Sequence, residues 1–187
     1  MKLLLPAILA PALLAWSAPA VSTEAEPDTS LVNEEDMSVV EEDLALDRAS
    51  LKGLRGVCIL IQDIDDEAEE NGLREKQVYF EVSLKLIKAG IDVIPQRFYE
   101  DTPGGAYLYV YVHTLNTDGT NYVYNLGLAL SHEVNLIRDP EVTVVASTWR
   151  SEELGIVPIA EAGRLLESID AKVEEFIIDY ENANLEE

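Results

Sequence analysis

Asp63-Ile64-Asp65-Asp66-Glu67-Ala68-Glu69-Glu70 puts carboxylates at the first, third and fifth positions of a would-be calcium loop, where hard oxygen ligands belong. The rest of the loop does not follow. Its sixth position is Ala68, where glycine makes the turn, and its twelfth is Arg74 in place of a bidentate glutamate. The stretch therefore reads as a solvated acidic loop, with weak binding of ambient cations as the alternative. His113 and His132 are the only histidines, and no Cys or His stands at zinc spacing from either, so each reads as an ordinary strand residue. Cys58 lies in the apolar run Val57-Cys58-Ile59-Leu60-Ile61 with nothing nearby in sequence to lower its pKa, which makes it a buried, inert thiol. Being the only cysteine, it excludes an intramolecular disulfide. Ser131 and Ser147 fall inside strand patterns without the glycines of a nucleophile elbow, and Gly53, Gly56, Gly104 and Gly105 make no phosphate-binding pattern. No catalytic residue, metal site or cofactor is assigned on these grounds.

The pattern that remains is a surface. From Ala106 to Thr114, Leu108, Val110 and Val112 point one way and Tyr107, Tyr109, Tyr111 and His113 the other. If the aliphatic side faces a core, the open side of the sheet collects Tyr109, Tyr111, His113, Asn125, Ser131, Thr143, Ser147 and Trp149. Aromatic bodies with polar tips suit contact with a partner. Cross-strand pairing on a solvent-facing sheet would account for the same tyrosines without a ligand.

The elements that must carry this surface follow from periodicity. Gly56 to Asp63 reads as a central strand, and Leu73 to Ala89 as a helix with the stripe Leu73, Gln77, Phe80, Leu84 and Ile87. Asn71 is its candidate N-cap, and Lys88-Ala89-Gly90 its stop. Ile91 to Ile94 is a brief strand ended by Pro95, and Gln96 to Gly105 a loop. Beyond Ala106 to Thr114, Asn116 to Asn121 makes a hairpin turn around Asp118-Gly119. The next strand has Tyr122, Tyr124, Leu126, Leu128 and Leu130 on one face, ending at Ser131. Asp139-Pro140 turns the chain into a strand from Glu141 to Arg150. A helix from Pro158 to Asn182 closes the order, with Ile159, Ala162, Leu165, Leu166, Ile169, Val173, Phe176, Ile177 and Tyr180 as its apolar stripe. Two long amphipathic helices laid on one face of a mixed sheet of about five strands, in the order β-α-β-β-β-β-α, give an α+β two-layer sandwich.

Ahead of this domain, Lys2, the apolar run Leu3 to Trp16 and the small residues Ala18-Pro19-Ala20 have the layout of an export signal. The run is broken by Pro6 and Pro11 and falls short of the roughly twenty residues that span hydrocarbon, so cleavage is expected in preference to anchoring. Val21 would then begin the mature chain, or Ala18 if the upstream site Ala15-Trp16-Ser17 is used. Residues 21–49 read as an acidic, self-repelling linker in which Val39-Val40 and Leu44-Ala45-Leu46 leave room for a short docked helix. Residues 50–187 form one domain. With 36 acidic against 13 basic residues and a net charge of -23, the chain lacks the positive potential that nucleic acids and anionic membranes require.

Leu54-Arg55-Gly56-Val57, the helix end Leu84 to Ile91, Tyr107-Leu108-Tyr109-Val110, Ala146-Ser147-Thr148-Trp149 and Phe176-Ile177-Ile178-Asp179-Tyr180 resemble a family of exported bacterial proteins of unknown function. The order of elements is similar to the small α/β domain of auxiliary lipoproteins of ABC-type transporters and of periplasmic activators of cell-wall synthases. That likeness implies a fold and transfers no residue roles. The expected function is an exported, non-catalytic binding or assembly module, periplasmic or secreted. It would meet an envelope partner or a second copy through the open sheet face, without stable membrane insertion. A small hydrolase with dispersed residues and a carboxylate-rich cation binder are the alternatives.

Overall fold

The computed structural model describes residues 45–62, 64–99, 102 and 104–185. The proposed export segment and most of the acidic linker lie outside them. Among the described residues the chain folds as β1 (Gly56–Ile61), α1 (Asp66–Glu70), α2 (Glu75–Lys88), β2 (Gly105–Asn116), β3 (Asn121–Leu136), β4 (Asp139–Pro158) and α3 (Leu165–Asn184). A 3-10 segment, Ile159–Arg164, leads into α3. The strands form one mixed sheet in the order β1-β2-β3-β4, with β1 parallel to β2 and the other pairs antiparallel. Both long helices cover one face, α2 against β1 and α3 against β3 and β4, and they touch each other. The α+β two-layer sandwich is thus observed with four strands. Ile91 to Ile94 contributes a single bridge, Val57 to Val93, in place of a fifth strand.

The core lies between sheet and helices. Leu108, Val110 and Val112 of β2, and Tyr122, Tyr124, Leu126, Leu128 and Leu130 of β3, all point into it, as their period of two requires. From α3 come Leu165, Ile169, Val173, Phe176 and Ile177, the stripe that the spacing predicts. In α2 the buried residues are Val78, Val82 and Leu86. Of the stripe expected there, Leu73 is buried just ahead of α2, but Gln77, Phe80 and Ile87 lie outward. Both sets fit a helical period, and only the position of the sheet selects between them. Asn71 closes α1 as its C-cap instead of opening α2, whose N-cap position is Arg74. Gly90, at φ +77°, ends α2 with Ile91 N–H donating to the Leu86 carbonyl, an αL stop as read from the sequence.

Two strands run longer than their sequence patterns. β3 continues from Ser131 to Leu136, and β4 occupies all of Asp139–Pro158, so Asp139-Pro140 is strand and the turn falls at residues 137–138. Beyond Ser131, β3 has no β2 partner, and the two strands project as an arm with both edges open. Residues 45–49, read as linker, are helical. Arg48 pairs with Asp179 at 2.7 Å and the Ser50 hydroxyl reaches the Thr148 carbonyl at 3.2 Å, so these contacts tie the helical turn to α3 and β4.

Candidate functional site: the open face of the sheet

Register alone places the residues of the open face in rows, because cross-strand partners share a side. Cys58, Tyr107, Ser131 and Ser147 form one row, followed by Leu60, Tyr109, Ala129 and Arg150, and then by Tyr111, Gly127 and Glu152. The last two rows are His113, Asn125 and Leu154, and Leu115, Val123 and Ile156. The 3-10 turn Gln96–Phe98 brings Tyr99 over the Tyr107 end of this face, while the two long helices pack on the other side of the sheet.

Tyr109, Tyr111, His113, Asn125, Ser131 and Ser147 are therefore gathered on one side, and Thr143 shares it out on the arm, where its hydroxyl donates to Asn135 at 2.9 Å. Their exposures differ. His113 and Ser147 are exposed, whereas Ser131 is buried at 8 %. Tyr99 stacks on Tyr107 with centroids 3.7 Å apart, and the register neighbours of Tyr107 on both sides, Cys58 and Ser131, are buried. Burial pushes the Cys58 thiol above its ordinary pKa, which keeps it protonated and unreactive.

Trp149 is a correction. It is 3 % exposed, on the helix side, packed edge-on against Phe176 at 5.0 Å with its indole N–H donating to Asp179 at 3.0 Å. Between Leu130 and Ser131 the register with β4 shifts: Leu130 pairs with Trp149 and Ser131 with Ser147, leaving Thr148 as the extra residue of a bulge. A bulge reverses the facing of everything beyond it, so a parity count carried from Thr143 and Ser147 to Trp149 gives the wrong side. His132, on the opposite side from His113, sits 3.1 Å from the Thr148 hydroxyl, and burial lowers its pKa.

The centre of the face is built around a glycine. A Cβ on Gly127 would lie 2.7 Å from the Tyr111 hydroxyl and 2.5 Å from the Ser151 carbonyl. The absence of a side chain lets Tyr111 cross β3 and donate to Glu152 of β4 at 3.0 Å. Burial first, then the hydrogen bond and charge of Glu152, push the Tyr111 phenol up to about 12. The helix side repeats the device: Tyr124 lies over Gly155 and donates to Glu153 at 2.5 Å, with Ser168 donating to the same carboxylate. These bonds tie Glu152 and Glu153 to β2 and β3 where β4 continues past Arg150, the end expected from the sequence.

The residues that the sequence reading missed are Leu154, Ile156 and Leu115. They are 72 %, 71 % and 65 % exposed and form, with Val123, an apolar band at the hairpin end of the face. Period-two alternation of Leu154 and Ile156 was legible; it lay beyond the point where β4 was expected to end.

The acidic stretch has other roles. Asp66–Glu70 is helical, Asp65 accepts from Thr114 at 2.8 Å and Glu67 from Asn116 at 3.1 Å, so these two carboxylates fasten α1 to β2. Among the described residues, no group of three or more His, Cys, Asp or Glu side chains is placed to hold a metal ion. A cleft of about 630 Å³ beside α1 is lined by Asp66, Glu69, Glu70, Arg74, Glu75 and Lys76. Among the described residues no helix is long and apolar enough to cross a membrane. No family model matches the chain, and no curated protein is similar to it.

Proposed function

We propose that this protein is a non-catalytic binding or assembly module that acts through the open face of its sheet, exported to the periplasm or cell envelope by its N-terminal segment. The observation that carries the reading is the band of Leu115, Val123, Leu154 and Ile156 beside His113 and Asn125, in which Leu115, Leu154 and Ile156 are largely exposed. Large aliphatic residues left in water on three adjacent strands lower the free energy of any complex that buries them. Export rests on the layout of residues 1–20.

The test is retention of a defined envelope fraction by the immobilised wild type and by a variant carrying Leu154→Lys and Ile156→Lys. Loss of specific retention in the folded variant supports the reading. Equal retention by both removes the face from the function, and turnover of ester, glycoside or phosphate substrates by the wild type would instead establish the hydrolase alternative. Mass spectrometry of the exported chain should find Val21 or Ala18 at its start; an intact Met1 in the membrane fraction would show an anchor.

A further inference from the structure

We propose that the partner of the open face is a second copy of this chain, the two sheets packing face to face about a two-fold axis. The proposal rests on the reading of that face as a binding surface and names its occupant. Charge makes the selection. The whole chain carries -23. On the outward side of the strands away from the arm, the residues charged at neutral pH are Arg150 and Glu152, one of each sign. A cationic partner would be drawn instead to the outer surface of α3, where Glu167, Asp170, Glu174 and Glu181 are exposed. A copy of the same acidic chain is repelled wherever acids are dense and can approach closely only where they are absent. The chain's own segment 24–43, rich in Glu and Asp, finds a single cation on this face.

The rows also fit a self-complementary contact. A two-fold axis along β3 lays β2 of one copy over β4 of the other and keeps the rows in step. Leu115 then meets Ile156 of the second copy, and Tyr109 meets its Arg150, a guanidinium over an aromatic face. Aligned sheets packed through aliphatic rows are the ordinary geometry of a sandwich core.

Sedimentation equilibrium of the protein expressed from the full sequence tests this. A dimer is expected, tightening as salt is raised, because screening removes the repulsion between two acidic bodies. Leu154→Lys with Ile156→Lys should raise the dissociation constant by about a hundredfold or more, the scale of losing two buried anchors. Each lysine also lowers the net negative charge, so that loss cannot come from added repulsion. Ile178→Lys, a partly exposed position on α3, adds the same kind of charge away from the interface and should leave the dimer intact. If circular dichroism shows that the double variant does not fold, Leu115→Ser, from the other contributing strand, takes its place and should weaken the dimer about tenfold.

A wild type that stays monomeric at high concentration and high salt overturns the proposal, as does a dimer that survives the folded variants. The two readings separate cleanly. A monomer that loses an envelope partner on Leu154→Lys with Ile156→Lys keeps the functional face and gives it a different occupant. Release of hydrogen-exchange protection at residues 24–43 by the same variant in a monomer would give the face to the chain's own acidic segment.

Discussion

Trp149 and Tyr109 look alike in sequence, aromatic residues in strands, yet they belong to opposite sides of the sheet and should respond differently to substitution. Trp149→Ala removes a buried ring packed on Phe176 and leaves Asp179 with one partner fewer, so unfolding in urea should reveal a loss of about 3–5 kcal/mol. Tyr109→Ser removes an exposed ring, at a cost of about 1 kcal/mol or less. Equal losses would mean that the bulge at Thr148 is misplaced. Tyr111 offers a pH observable. Its phenol should titrate near 12, and Glu152→Gln should bring it down toward 10 without reaching it, since burial comes ahead of the Glu152 hydrogen bond among the causes. The sign for stability follows from proton binding. The folded state holds this proton more tightly than the unfolded chain, so the contribution is full below pH 10 and is lost as pH rises through about 12. His132 acts at the other end: burial lowers its pKa, so its contribution is present above the ordinary imidazole value of 6.5 and is lost as pH falls through the lowered one.

Among the elements, the β3–β4 hairpin has two regimes. Up to Ser131, β3 is paired on both sides; beyond it, only β4 supports it. Val142, Val144 and Val145 on the arm are exposed, so little apolar burial holds this part closed. Amides of residues 132–147 should therefore exchange with solvent faster than those of 122–130 and 149–157, by a margin that hydrogen-exchange mass spectrometry resolves. Uniform protection along the hairpin would show that something covers the arm. The same lack of a buried face explains why the β3 side of the arm was not read, although Glu141 to Arg150 was. His132 to Leu136 have no core to alternate against, and alternation is the signal by which strands are read. The α2 stripe failed for a related reason. Its sequence holds two apolar faces, and only the packing of Val78, Val82 and Leu86 against the sheet distinguishes them.

At the level of the whole molecule, charge dominates. A net -23 destabilises the compact state through self-repulsion, against which stand a few ion pairs, among them Arg48 with Asp179 and Lys85 with Asp170 at 2.8 Å and Glu174 at 3.0 Å, the last two joining α2 to α3. Partly exposed pairs contribute on the order of 0–1 kcal/mol, less than the repulsion of a uniformly acidic surface. Raising chloride salt at neutral pH should therefore raise the melting temperature. A fall would show that local ion pairs outweigh the global repulsion. Because monomer and dimer respond to salt in the same direction, the melt is made at several protein concentrations; only the dimer's contribution varies with concentration.

The amino-acid sequence by itself determined the α+β class, the regular stripe of α3, the inward face of β2 and the burial of Cys58. Each of these depends on a local period or a local run, and a helix or strand with one strongly apolar side has one place to put it. Tertiary structure decided the rest. It placed Trp149 in the core through one extra residue at Thr148, tied Glu152 and Glu153 to β2 and β3 through Tyr111 and Tyr124, and carried Leu154 and Ile156 onto the open face beside Leu115. A bulge and a hydroxyl reaching across a glycine are relations between strands far apart in the chain, and no period within either strand contains them.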